Sequence, residues 1–539
     1  MCNLLTYSLP HESDILSSSS ITLRTNELSF HEIIPARPNA ITTFGNLTLE
    51  FCKSLQVPNP SYVQGTYFTT YIPSYLLTSF ATKVLCDKLL SVTSFSLLRK
   101  GEIIQYDLNN FNIPKVTGRK LKGDYLWPNE LTIFNDSTGN DVLIVPDGFL
   151  LPGQNDGALY AIKDPNNPSA QPIRITERRK GWFYHRATHV KLPGGVSGIL
   201  TARANKPLLG AGKGELVWLT MPKNFNSDNP AQEPWVETIL VEGPDVMFEV
   251  VDLDKDDNTI EVVAAHFFEQ KLSVHSIQSS DTYPYVSISD TVILDCIGRP
   301  YGLCVANMNN NINDKPTHIL VSTHECSYDI PSAVDMALSA VNGIFPRIKT
   351  GRFKGIRGGE RLPLESGLIS NDVEKGGSLF AYALPPKNNN SKWSRQTLFR
   401  GFKVRGWGGI FSPGAPGFPY VFHMPEQLPT SPPIILLAGD CTGSAYIFSP
   451  TLPEGECNKA LAPYELAFEI ECGATVGSAA FQEITDEDGS KSIELYVPSY
   501  ELNKIHVFQL SNSRINPAKY HEIGGVLEKN NAKNRLLKL

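Results

Sequence analysis

Several things are missing from this chain. No apolar run is long enough to span a bilayer, because the most apolar stretch, about Tyr71 to Leu98, is interrupted by Lys83, Asp87 and Lys88. A membrane is therefore not an expected partner. The opening residues, MCNLLTYSLPHESDILSSSS, carry neither the basic start nor the apolar centre of a secretory leader. A basic excess is also lacking: Lys and Arg number 48 against 55 Asp and Glu, a net charge of −7. Nucleic acid, whose phosphates need clustered cations, is thereby argued against. The nine cysteines include no CxxC pair, which points to reduced thiols and a cytoplasmic protein. Triplets at Asn46, Asn135 and Asn389 that could accept a glycan keep a secreted protein as the alternative. Absent too are a G-x-S-x-G elbow, a Walker loop, a dinucleotide glycine fingerprint and HExxH, so no nucleotide cofactor is expected.

What the chain has in quantity is β-punctuation: 41 glycines, 39 prolines and 10% aromatic residues. It also repeats itself. A strand-like phrase opening on Gly, Lys or Asn recurs as GEIIQYDL from Gly101, GALYAIKD from Gly157, GELVWLTMP from Gly214, KLSVHSI from Lys271, GSLFAYALPP from Gly377, GSAYIFSP from Gly443 and NKIHVFQL from Asn503. Units of roughly 50 to 60 residues made of strands are the signature of a β-propeller. The expected fold is all-β, a seven-bladed propeller of four-stranded blades with a long insertion in one blade and an irregular N-terminal segment. Residues 1–28 read as an extension, 29–512 as the propeller, 327–375 as an inserted lid or loop, and 513–539 as a tail.

Each unit reads as an inner strand, a strand running outward, a returning strand and an outermost strand carrying the repeated phrase. PIRITERRK, WFYHRATHVKL, SGILTARANK and GELVWLTMP make one such unit. The first unit, Ser29 to Leu108, diverges, and PSYLLTSFATKVLCDKLL within it has a helix-like pattern.

The acidic stretch VVDLDKDDNTIEVVAAHFF resembles the FG-GAP or VCBS-type propeller repeat, in which an acidic loop joins two strands. With GWFYHRATHV, TARANKPLLGAGKGELVWL, GAPGFPYVFHM and ILLAGDCTGSAYIFSP, the pattern is similar to the propeller of the fungal aldos-2-ulose dehydratase family, which are sugar lyases. In the acidic loop Asp252, Asp254 and Asp256 alternate so that a tight turn can aim three carboxylates at a hard cation, with Asn258 adding oxygen. Calcium, or magnesium, suits such a donor set; a solvated acidic turn is the alternative.

Propeller geometry brings two sets of turns to one axial face. The first set holds Tyr125 and Trp127, Tyr184 and His185, Asp245 and Phe248, Arg299 and Tyr301, and Arg405 and Trp407. From the second come Asp147, Arg203 with Asn205, His266, His324 with Glu325, and Asp440. His185, His266 and His324 would then face one funnel with Tyr184, Arg299 and Arg405, able to exchange protons, to hold an oxyanion, or to bind zinc. Trp127, Tyr301, Trp407, Asp147, Asp440 and Arg203 would line the substrate space. His189, His275 and His318 read as structural. Arg352, Lys354, Arg357 and Arg361 could close over an anion as a lid, or belong to a solvated loop. The residue types suit a small-molecule lyase or isomerase; a propeller that binds a ligand, glycan or protein without chemistry is the alternative.

Overall fold

A computed structural model describes residues 32–35, 41–44, 47–56, 60–65, 89–94, 101–107, 118–148, 155–207, 211–222, 225, 235–245, 247–253, 259–295, 298–308, 316–324, 365–366, 377–385, 393–404, 414–425, 431–451, 461–485, 489–500, 502 and 504–512. They form seven antiparallel blades, named 1 to 7 in chain order, with strands a to d running outward from the axis. The cut between units falls one strand away from the sequence reading. Blade 3 consists of Trp182–Lys191, Ser197–Asn205, Lys213–Thr220 and Val236–Glu242. The repeated phrase is therefore strand c, and Pro172–Arg174, read as the start of this unit, is strand d of blade 2. Burial follows the layering: strand b of blade 3 is almost wholly buried, while strand d shows its outer residues to solvent.

Blade 4 runs from Phe248–Val251 through Thr259–His266 and Lys271–Ser279 to Val286–Asp295. Blade 5 is built from Arg299–Ala306, His318–His324, Gly377–Ala383 and Ser394–Phe402. The insertion, expected to lack strands, supplies it with a short edge strand, Glu365–Ser366, paired to Phe399 and Arg400. Blade 6 comprises Pro419–Phe422, Ile434–Ala438, Ser444–Pro450 and Tyr464–Glu471.

Closure is made by the N-terminal segment. Blade 7 takes Ala480–Thr485, Lys491–Ser499 and Lys504–Asn512 from the end of the chain and Leu47–Gln56 from its beginning, with Leu47 opposite Asn512. The sequence reading had placed Leu47–Gln56 in the first blade and Tyr464–Glu471 in the last. Ile41–Phe44 adds a fifth strand to blade 7, and Glu32–Pro35 pairs parallel to the edge of blade 6. Blade 1 then spans Pro60–Gly65, Leu89–Ser94, Glu102–Asp107 and Arg119–Lys120, and blade 2 spans Thr132–Asn135, Asp141–Pro146, Leu159–Lys163 and Pro172–Arg174. Of the segment read as a helix, all but Leu89 and Leu90 lies outside the described residues, and those two begin a strand.

Apolar faces meet between blades. Among the described residues, buried clusters occupy each of the seven junctions, from Ile103 and Leu143 between blades 1 and 2 round to Val92 and Val507 between blades 7 and 1. Burial of one such side chain stabilises by about 1.5–3 kcal/mol, so the joints between blades contribute to holding the ring closed. No helix among the described residues is long and apolar enough to cross a membrane.

Candidate functional site at the axial end

Starts of strands a and ends of strands b lie at one end of the ring. Two β-bulges shape this end. In blade 3 the register passes from Tyr184 to Arg186, leaving His185 as the extra residue; in blade 5 it jumps from Pro300 to Leu303, freeing Tyr301 and Gly302. A bulge re-aims the side chain it carries. The two re-aimed rings meet: His185 lies edge-on to Tyr301 with centroids 6.2 Å apart and 6.3 Å from Phe418. Tyr301 also packs on Phe418 at 4.9 Å and on His324 at 4.1 Å, and Phe267 closes the group with its ring 5.4 Å from His324. Trp127 belongs to the same packed cluster. Blades 2 to 6 thus each send at least one ring to the axis.

Polar groups are set into this aromatic plug. His324 Nε2 lies 3.5 Å from Asp440 Oδ2, and Nδ1 faces Gly414, where a Cβ would sit only 2.1 Å away. Arg299 stands opposite His324 in the strand register and lays its guanidinium 5.9 Å from the Phe267 centroid. Burial, reinforced by Arg299, holds the His324 imidazole neutral down to about 3. His185 is depressed to about 3 as well, by burial and by Arg186. Both rings are neutral at physiological pH.

Beside the plug opens a cleft of about 260 Å³. Lys206 of blade 3, Phe267, Phe268 and Gln270 of blade 4 and Arg299 of blade 5 line it, with Gly212 at its edge. Asp245, fully buried, accepts hydrogen bonds from the backbone N–H of Phe267 at 2.7 Å and of Phe268 at 2.8 Å, which fixes the turn bearing both rings.

Other residues expected at this face point elsewhere. His266 turns into blade 4, where its Nε2 meets Ser273 Oγ at 2.6 Å and its Nδ1 lies 3.3 Å from Glu269, while its neighbour Phe267 takes the axial place. Tyr184 and Arg203 face each other inside blade 3, with Arg203 ion-paired to Glu215 and Glu237 at 2.6 Å each. Asp147 is a turn-fixing group: it accepts from the N–H of Leu126 and Ala158 and from Arg178. Asn205 donates to the Gly181 carbonyl. Tyr125 packs between blades 1 and 2, and Phe248 between blades 3 and 4. Arg405, Trp407, Glu325 and the cationic stretch Arg352 to Arg361 lie outside the described residues. So do Asp254, Asp256 and Asn258 of the acidic loop; Asp252 is half-buried at its start. Among the described residues no three His, Cys, Asp or Glu side chains are grouped to hold a metal. His189 bonds Ser197, His275 bonds Thr291 and His318 bonds Thr317, as structural histidines do.

Sequence reasoning missed Phe267, Phe418 and Lys206. Phe267 had a signal, since it follows His266 at a strand end, where a one-residue change of direction decides which side chain faces the axis.

No protein family model matches the chain, and no curated protein matches it. Solved structures are similar at low identity. A chain from the S. cerevisiae complex of Dbp5 with Nup159, Gle1, IP6 and ADP is 9% identical, covering 88% of this chain and 98% of its own at a TM-score of 0.40. The α-L-arabinofuranosidase Arb93A of Fusarium graminearum with an iminosugar inhibitor is 9% identical over 71% of this chain and 93% of its own, TM-score 0.37. A protein of unknown function from Dyadobacter fermentans is 8% identical over 86% and 99%, TM-score 0.35. Similarity of this degree says nothing about the chemistry of the site.

Proposed function

We propose that the axial end is the active site of a small-molecule lyase or isomerase. A proton leaves the carbon beside a substrate carbonyl and passes to the His324–Asp440 pair, whose neutral imidazole can accept it and whose carboxylate steadies the imidazolium formed. The C–H electrons become the enolate, and Arg299 holds its oxygen. Loss of a neighbouring hydroxyl together with a proton then releases water, or return of the proton elsewhere gives an isomer. The observation that carries this reading is the double position of Arg299, which lines the cleft and stands opposite His324. The lyase class takes further support from the likeness of VVDLDKDDNTIEVVAAHFF and its companion phrases to the FG-GAP/VCBS repeat and to fungal dehydratase propellers.

Non-catalytic ligand binding is the second reading, favoured by the depth of the imidazoles: His185 is 2% and His324 5% exposed. Incubation in D2O with a panel of small keto- and hydroxy-acids and keto-sugars separates the two. Deuterium entering a compound, lost in His324→Ala at unchanged melting temperature, supports the enzyme. Saturable binding of a panel member without exchange or conversion by the wild-type chain supports the binder.

A further inference from the structure

The cleft beside the plug has a composition that selects its ligand. Two cations, Lys206 and Arg299, stand in its wall, and no carboxylate is among the lining residues. Its aromatic wall is made by the rings of Phe267 and Phe268, which meet edge to face at 5.8 Å. These rings are held before any ligand arrives, because buried Asp245 fixes the backbone of both. Gly212 lies so close to Phe268 that a Cβ there would come within 2.4 Å of the ring, so a larger residue would displace this wall of the cleft. Gln270, also lining the cleft, has φ of +57°, a conformation in which glycine is cheaper, yet the position keeps a carboxamide.

We infer that this cleft binds a small carboxylate with a planar apolar body, its carboxylate set between Lys206 and Arg299 and its flat face against Phe268. The inference deepens the proposed function by naming the ligand class, and it rests on that reading only in taking the axial end as a small-molecule site. The half-buried cations can pair with a carboxylate while the adjoining rings accept an apolar body, so a fully hydrated ion of the same charge gains nothing from the rings. Gln270 can then bond a hydroxyl or carbonyl on the ligand.

Benzoate is the probe, titrated calorimetrically into the full chain, with benzamide as its neutral isostere and acetate as the charge without the body. Saturable one-to-one binding of benzoate is expected, with benzamide and acetate each at least tenfold weaker. Lys206→Met and Arg299→Met should each weaken benzoate at least tenfold, about 1.4 kcal/mol, and Gly212→Val should abolish binding, all with melting temperatures near the wild type. Phe268→Leu, which keeps an apolar wall, checks the stacking if the valine variant fails to fold; it should weaken benzoate and leave acetate unchanged. Benzamide binding as tightly as benzoate, unaltered affinity in both cation variants, or no saturable benzoate binding overturns the inference. His324→Asn distinguishes the two ideas: benzoate affinity that persists while deuterium exchange is absent in every chain keeps the cleft and sinks the lyase, and exchange that depends on His324 without benzoate binding does the reverse.

Discussion

Arg186 on strand a of blade 3 joins three blades, and its replacement by methionine has a calculable outcome. The guanidinium grips Glu130, just ahead of blade 2, by two bonds of 2.6 and 2.8 Å, donates to the Phe248 carbonyl of blade 4 at 2.6 Å, and pairs with Glu249. Its side chain is only 14% exposed. Burial disfavours its charge, but Glu130 and Glu249 more than reverse that and hold it protonated above the usual arginine range. Methionine fills much of the volume and leaves two carboxylates facing each other near the axis. Removing one partner of a buried ion pair costs about 3–5 kcal/mol, and the same loss is expected for Arg186→Met at pH 7.5, read as a fall in the urea midpoint of unfolding. The pH dependence has a definite sign. Burial already raises Glu249 above the usual carboxylate range, with Arg186 pulling it back, and the variant removes that pull. Its folded state then keeps a proton that the unfolded state has released, so the variant's stability falls as pH rises through that window. The deficit should therefore shrink between pH 7.5 and pH 5, and Glu130→Gln with Glu249→Gln in the same background should recover most of it. A deficit below about 1 kcal/mol at pH 7.5, or a rescue pair that lowers stability further, would refute the reasoning.

Asp147 is raised to about 6, chiefly by burial, with Arg178 and two backbone N–H groups opposing. Wild-type stability drawn through this group falls as pH rises from about 4 to about 6, and Asp147→Asn should flatten that part of the urea-midpoint profile; an unchanged slope contradicts it. Gly414→Ala places a methyl against His324, so a loss of about 1–3 kcal/mol is expected together with displaced His324 ring signals in NMR spectra, and unshifted signals would refute the contact. Deleting residues 1–58 strips strand d from blade 7 and bares the edge of Lys504–Asn512. Aggregates are then expected in size-exclusion chromatography, whereas a monodisperse species with wild-type melting would show that closure does not depend on the N-terminal strand.

The repeat was legible because its third strand keeps one phrase, as in GELVWLTMP and GSAYIFSP. Its phase was not, since strand d of one blade and strand a of the next are consecutive β-runs that look alike in sequence. Leu47–Gln56 in blade 7 was invisible for another reason: no local pattern announces a partner at the far end of the chain. At the axial end, position was legible where loops were placed correctly: Arg299, Tyr301, His324, Asp440 and Trp127 were assigned to one face and the fold gathers them there. Direction was harder to read. His266 gave way to Phe267 because strand alternation turned its ring toward Ser273, and only the bulge carries His185 to Tyr301. Asp147 and Asp245 were chosen for their charge, yet both spend it on backbone N–H groups. Such anchoring aspartates look like functional ones until the amides around them are counted.

The pairing of Leu47 with Asn512 also sets an order of events in the cell. Leu47–Gln56 emerges from the ribosome before any of the blades, and its partner emerges after nearly all of them, so the early strand must wait unpaired. At synthesis rates of about 5–20 residues per second that wait lasts on the order of tens of seconds. During it the nascent chain presents a sticky β-segment at one end and an open arc of blades at the other, a period in which chaperone capture competes with coupling to a neighbouring polysome product.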